Sequence, residues 1–326
     1  MQRINFYQRR DIGNVVTDTF AFLKENFKTL FKAILFIPGP LILLGGIAFG
    51  LYFFFLVKLT TRGAIPDPYM IREFGIFFPL IYILLFIGPM LLVSTVYEYI
   101  NLYINDKETT LGEIWKGVKK RFFLTFKVFL GSFFLLFIAT CIVFGVFFFL
   151  LFLGSTLGLV TGGVIAGFFF SFLTGCLAFA PFIYIAVTLS LVYSVCVYEG
   201  KGFRAGVRRS FSLISGKWWK TCGVIFVLAF ISMGISMVFY LPFYLVLGIE
   251  SYFSSDGDSS TTFVQIMKTV FTVVLMAGTY LIYPLLFIGI NFQYFSLVEE
   301  KDATGLLKKI DSFGSVSAET ENAEEY

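Results

Sequence analysis

The sequence predicts an all-α integral membrane protein. Six transmembrane helices are expected, arranged as three parallel repeats, each an interfacial amphipathic helix plus a helical hairpin. Three observations predict it. Residues 128–198, between Lys127 and Glu199, contain no Asp, Glu, Lys or Arg. A run of that length holds two spans and their turn, because one span needs about 20 apolar residues. Further charge-free runs at 33–57, 74–97, 221–249 and 269–298 supply the other four spans. The third observation is a set of markers that recurs along the chain at near-constant spacing.

The composition agrees. Hydrophobic residues make up 58% of the chain, charged residues 14%, and Phe alone numbers 45. Soluble domains are about 45–50% apolar and about a quarter charged. The 326 residues lie mostly in spans, so no room is left for a soluble catalytic domain of about 100–150 residues. The first apolar run starts near Phe27, behind a charged leader. It is too long and too late for a signal-peptide core, so a retained first span is expected.

The spans fall at roughly 28–57, 75–103, 122–153, 163–198, 217–248 and 263–298. Several exceed the length of one crossing and should tilt or kink. One side of the membrane then receives residues 1–32, 104–127, 199–220 and 299–326. That side carries 21 of the 25 basic residues; the other carries Lys58, Arg62, Arg72 and Lys268. Such asymmetry over short loops marks the cytoplasmic side. Both termini are expected there, in a bacterial inner membrane.

The repeat markers lie at the ends of the even spans. Lys107, Lys201 and Lys301 follow Asn-Asp, Glu-Gly and Glu-Glu, and each precedes a glycine, at 112, 206 and 305; Gly13 matches in the leader. These glycines are 99, 94 and 99 residues apart. Aromatic–Lys pairs open the odd spans at Phe27-Lys28, Phe126-Lys127 and Trp219-Lys220. Proline recurs inside the even spans, at Pro89, Pro181 and Pro284, where kinks are expected. The repeats cover about 9–106, 107–200 and 201–300, with a partial fourth elbow at 301–312. Together, residues 1–312 read as one membrane domain. Residues 313–326, with Glu319, Glu321, Glu324 and Glu325, read as a disordered acidic tail. Two spans per repeat give every copy the same orientation, unlike the inverted repeats of many transporters.

Each repeat begins with an amphipathic segment. Ile12, Val15, Val16, Phe20, Phe22 and Leu23 fall mostly on one helical face, with Asp11 as N-cap. Thr110-Leu-Gly-Glu113 reads as a capping box before Ile114, Trp115 and Val118. Phe203, Val207, Phe211 and Ile214 recur opposite Arg204, Arg208 and Arg209. Apolar residues facing basic ones describe helices lying in the interface. Two readings stand: elbows whose charges only orient the chain, or elbows whose clusters Lys119, Lys120, Arg121 and Arg204, Arg208, Arg209 hold anionic lipid headgroups. Packing is expected along span four, where Gly163, Gly167, Ser171 and Gly175 recur every four residues, and at Gly46 and Gly50 in span one.

Signals for catalysis are missing. There is no histidine, which removes imidazole acid–base work and the commonest metal ligand. Cys141, Cys176, Cys196 and Cys222 show no metal or disulfide spacing and read as small apolar packing residues. No nucleophile-elbow or phosphate-loop pattern occurs. No enzyme activity, cofactor or metal is therefore expected. Glu98, Lys268, Asn291 and Gln293 read as interhelical hydrogen-bonding or snorkelling groups.

The leader Ile12-Gly13 to Lys32, the segment Phe203 to Trp219 and the ending Asn291 to Glu300 resemble a bacterial group of six-span inner-membrane proteins. It includes YciC-like proteins and the membrane domain attached to some glycerophosphodiester phosphodiesterases. The resemblance implies the six-span topology and an envelope or lipid-related role. This chain lacks the soluble phosphodiesterase domain. The expected function is a non-catalytic module that binds lipid or a partner protein. The alternative is a channel or transporter for a lipid-like or neutral solute. Expected partners are membrane lipids, anionic ones first, and either a second copy or another membrane protein; nucleic acid is not expected.

Overall fold

The computed structural model describes residues 3–61, 68–161, 163–253 and 262–303. Among these residues there are helices and no strands: α1 (Ile12–Phe36), α2 (Gly39–Thr61), α3 (Pro68–Ile104), α4 (Leu111–Thr161), α5 (Val164–Ser190), α6 (Val192–Tyr198), α7 (Phe203–Ile214), α8 (Trp218–Phe253) and α9 (Thr262–Asp302). Five are long and apolar enough to cross a membrane, or up to six if α1 and α2, bent by 56°, form one span. The expected tail and most of the fourth elbow lie outside the described residues.

The helix breaks follow local chemistry rather than the expected elbow boundaries. α1 absorbs both the leader helix and the start of the first span. It stops at Ile37-Pro38, because proline lacks an N–H and disfavours helix in the residue before it. α4 is one helix of 51 residues, about 76 Å at 1.5 Å per residue. No proline lies between Leu111 and Leu153, and the helix runs through the glycines at 112, 117, 131 and 145, so the second elbow is continuous with its span. Among the described residues, only the third elbow is a separate helix. α7 ends where Gly216 adopts φ +78, and α8 restarts at Trp218. Pro89, Pro181 and Pro284 each lie inside a helix that continues past them. In span four the break falls at Leu191, ten residues beyond Pro181.

The described chain forms two compact units. The first comprises Met1–Phe6, Ile12–Phe122 and Val224–Phe292. In it, α1 turns one face inward through Val15, Thr19, Phe22, Leu30 and Ile34. The leader packs on that face: Phe6 stacks on Phe292 at 4.4 Å, and Phe22 meets Tyr103 edge-on at 5.0 Å. A Cβ placed on Gly46 would lie 3.6 Å from the Val273 Cα, and one on Gly50 would lie 3.0 Å from Thr269. The small-residue pair of α2 thus lets α9 approach closely.

The second unit comprises Tyr7–Asp11, Phe123–Gly223 and Gln293–Tyr326. Here the Arg10 N–H donates to Ser296 Oγ at 2.9 Å, and Tyr7 packs on Phe295. Gly163 is the N-cap of α5, and a Cβ on Gly175 would lie 3.0 Å from the Phe147 ring. The side chains at Gly167 and Ser171 lie outside the described residues.

Burial separates the spans into two kinds. Residues 90–100, 191–197 and 288–298 are buried without interruption. These are the basic-side ends of the even spans, and they hold Ser94, Thr95, Ser194, Asn291, Gln293 and Ser296. Helices buried all round need no amphipathic stripe. Helices α4 and α8 show the opposite. Only 11% of the α4 span window and 22% of that of α8 is buried. Phe133, Phe137, Phe148 and Phe152 of α4 lie exposed, an apolar surface suited to lipid.

Candidate functional site

Each of the three buried segments leads to a glutamate: Glu98, Glu199 and Glu300, spaced 101 residues apart. Each glutamate holds basic side chains from an elbow or from the leader.

In the first unit, Glu98 is 7% exposed. Arg121 Nη1 lies 3.2 Å from its Oε2, and Asn101 donates to Oε1 at 3.3 Å. Helix α4 comes this close because position 117 is glycine; a Cβ there would overlap the Glu98 carboxyl. The start of α4 is fixed by Thr110, whose Oγ1 accepts the Glu113 N–H at 3.5 Å, the helix-start half of the expected capping box.

In the second unit, Glu199 accepts from Lys201 Nζ at 2.6 Å, Arg209 Nε at 3.1 Å and the Tyr294 hydroxyl at 3.1 Å. Arg209 reaches Asp302 with its other arm. Burial alone would raise the Glu199 carboxyl, but the bonds from Lys201 and Arg209 outweigh it and hold it below the usual carboxylate range. Glu300 collects Arg9 at 3.1 Å, Lys220 at 3.5 Å and Lys217.

The six elbow residues predicted to meet headgroups therefore divide. Arg121 and Arg209 are half-buried and engaged by carboxylates. Lys119, Lys120, Arg204 and Arg208 are exposed. Lys119 Nζ sits 5.0 Å over the half-exposed Trp115 ring, a cation–π pair of the kind found where one end is apolar and the other wet. The repeated Glu set went unrecognised as an anchor. Its signal was present in the sequence, as Tyr97-Glu98, Tyr198-Glu199 and Glu299-Glu300 at equal spacing.

The remaining predicted polar groups are buried. Gln293 Nε2 donates to Thr221 Oγ1 at 2.9 Å, and Asn291 Nδ2 to the Phe287 carbonyl at 2.7 Å. Cys141, Cys196 and Cys222 are free thiols; the side chain of Cys176 lies outside the described residues. Among the described residues no cluster of three His, Cys, Asp or Glu could hold a metal. No family model, curated protein or solved structure matches the chain.

The lowered Glu199 carboxyl carries a pH prediction. The unfolded carboxyl takes up protons at a higher pH than the folded one, so stability rises with pH through that window. The contribution is complete above the ordinary glutamate value of about 4.3 and is lost as pH falls below it. Acidification from about pH 6 to about pH 3 should lower the thermal midpoint in detergent. The drop should be smaller in Glu199→Gln. An equal drop in both proteins would remove Glu199 as its source.

Proposed function

We propose that the chain is a non-catalytic membrane module of six spans in three parallel repeats, which holds anionic lipid against the basic side of its elbows. The observation that carries the lipid reading is the division of the elbow cations. Arg121 and Arg209 are spent on carboxylates, whereas Lys119, Lys120, Arg204 and Arg208 stand exposed beside apolar helix faces. Each such cation contributes about 1 kcal/mol toward an anionic leaflet, less where salt screens it. The repeat is supported by a hydroxyl or amide bond inside each hairpin: Tyr99 to Thr29 at 2.6 Å, Tyr193 to Thr125 at 2.8 Å and Gln293 to Thr221. The equally spaced Glu98, Glu199 and Glu300 support it too. The basic side is read as cytoplasmic from the 21 basic residues of 25 gathered there. The resemblance to bacterial inner-membrane proteins supports that placement.

Two measurements test this. In a cysteine-free background, an impermeant thiol reagent added outside should label a cysteine at position 64 or 257, both outside the described residues, but not one at 108 or 205. Labelling at 108 would overturn the orientation. In discs of mixed phosphatidylglycerol and phosphatidylcholine, the protein should carry phosphatidylglycerol above its bulk fraction. Changing Lys119, Lys120, Arg204 and Arg208 together to Gln should remove most of that enrichment. Enrichment that persists in a folded fourfold variant returns these residues to orientation signals.

A further inference from the structure

Within the second unit, the start of α7 meets α4 at an open groove of about 650 Å³. Its walls are Leu130, Gly131 and Phe134 of α4, with Phe203 and Ala205 of α7; Lys127 and Arg204 are its charged members. Positions 127, 130, 131 and 134 share one helical face, since neighbours on a helix lie three and four residues apart. The Phe203 ring sits over Gly131, where a side chain would collide with it, so the glycine seats the first turn of α7 against α4.

The charge arrangement points to one kind of occupant. Lys127 and Arg204 are exposed, and no ion pair engages either among the described residues. Lys127 is the last charge before the charge-free run 128–198. Beyond it, Phe134 is 53% exposed on the same face. Two cations thus stand at the polar end of an apolar groove that continues along a span. A free inorganic anion would satisfy the cations and leave the apolar wall bare. A neutral lipid would do the reverse. The volume lies within the range of about 300–1,000 Å³ typical of ligand sites.

We propose that this groove is a one-to-one site for an anionic glycerophospholipid. Its phosphodiester lies between Lys127 and Arg204, and the start of one acyl chain lies along Leu130 and Phe134. This rests on the lipid reading above and deepens it from a charged surface to a defined site.

The test uses full-length, delipidated protein in detergent, titrated with dioleoyl phosphatidylglycerol or dioleoyl phosphatidylcholine and read by native mass spectrometry. The wild type should take up a first phosphatidylglycerol well before phosphatidylcholine, and excess inorganic phosphate should not displace it. The double variant Lys127→Gln with Arg204→Gln should bind that first lipid on the order of tenfold more weakly. Ala205→Trp keeps both charges but fills the groove, and should lose the first lipid as well. Lys24→Gln with Lys28→Gln removes equal exposed charge elsewhere and should leave it in place. A first lipid held as tightly by Lys127→Gln/Arg204→Gln as by wild type overturns the site. Equal weakening in both double variants also overturns it, while leaving the broader lipid reading standing. No preference for phosphatidylglycerol in the wild type removes both.

Discussion

Glu98→Ala is expected to destabilise the folded protein by about 3 kcal/mol. The carboxylate is 7% exposed, and its partner Arg121 lies 3.2 Å away with 27% of its side chain exposed. Removing one member of a buried pair leaves the other charge without compensation, at a cost of about 3–5 kcal/mol. The partial exposure of Arg121 places this case at the lower end of that range. Arg121→Gln should cost a comparable amount, because it strands Glu98. The double variant Glu98→Ala with Arg121→Gln should cost less than the two single changes together, since neither leaves a charge alone. Thermal midpoints of the four proteins in one detergent form the cycle. Strict additivity would mean that the pair is not coupled. Arg121→Gln should leave phosphatidylglycerol enrichment unchanged, which separates the clasp from lipid binding.

The same pair shows where sequence reasoning stopped. The basic elbow residues were legible as clusters because charge stands out in an apolar chain. Which of them faced water was not legible. Lys119, Lys120 and Arg121 are consecutive and chemically alike, yet 100° steps around a helix send Arg121 toward Glu98 and leave its neighbours exposed. The spans were legible for a simpler reason: an apolar run of about 20 residues or more satisfies its backbone in a bilayer as a helix, so 217–248 and 163–198 fall close to α8 and α5–α6. The separate elbow before span three was an error of the opposite sort. An interfacial helix and a span share the same 3.6-residue period, and nothing between Leu111 and Leu153 breaks it, so α4 runs straight through. The expectation of a special packing face in span four rested on a run of glycines. In the first unit a close helix contact involves two glycines of α9 that are 11 residues apart and form no four-residue motif.

Those two glycines give the last expected result. Gly278 and Gly289 are separated by 11 residues, three helical turns, so they share one face of α9. Their antiparallel counterparts on α8, Phe239 and Leu228, are also 11 residues apart. A Cβ on Gly278 would overlap the Phe239 ring, and one on Gly289 would overlap the end of Leu228. At Gly289 there is no room to yield. Leu228 and Thr19 are both fully buried, and the Leu228 Cγ and the Thr19 Oγ1 each lie 3.3 Å from the added carbon. Thr19 is itself tied back to the Val15 carbonyl at 2.6 Å. Gly289→Leu must therefore push α8 and α1 away from α9, or force side chains off their rotamers. Overpacking of this kind costs about 1–3 kcal/mol and sometimes more, and this site should reach the upper end. Gly234→Leu on α8 is the control, since it is exposed and nothing lies within 4 Å of its added carbon. It should be neutral or slightly stabilising, because leucine is a better helix former than glycine by several tenths of a kcal/mol. The measurement is the fraction of monodisperse protein recovered after heating in detergent. Gly289→Leu should lose most of it at a temperature where Gly234→Leu retains it. Matching curves for the two variants would mean that α9 does not approach α8 and α1 at this glycine.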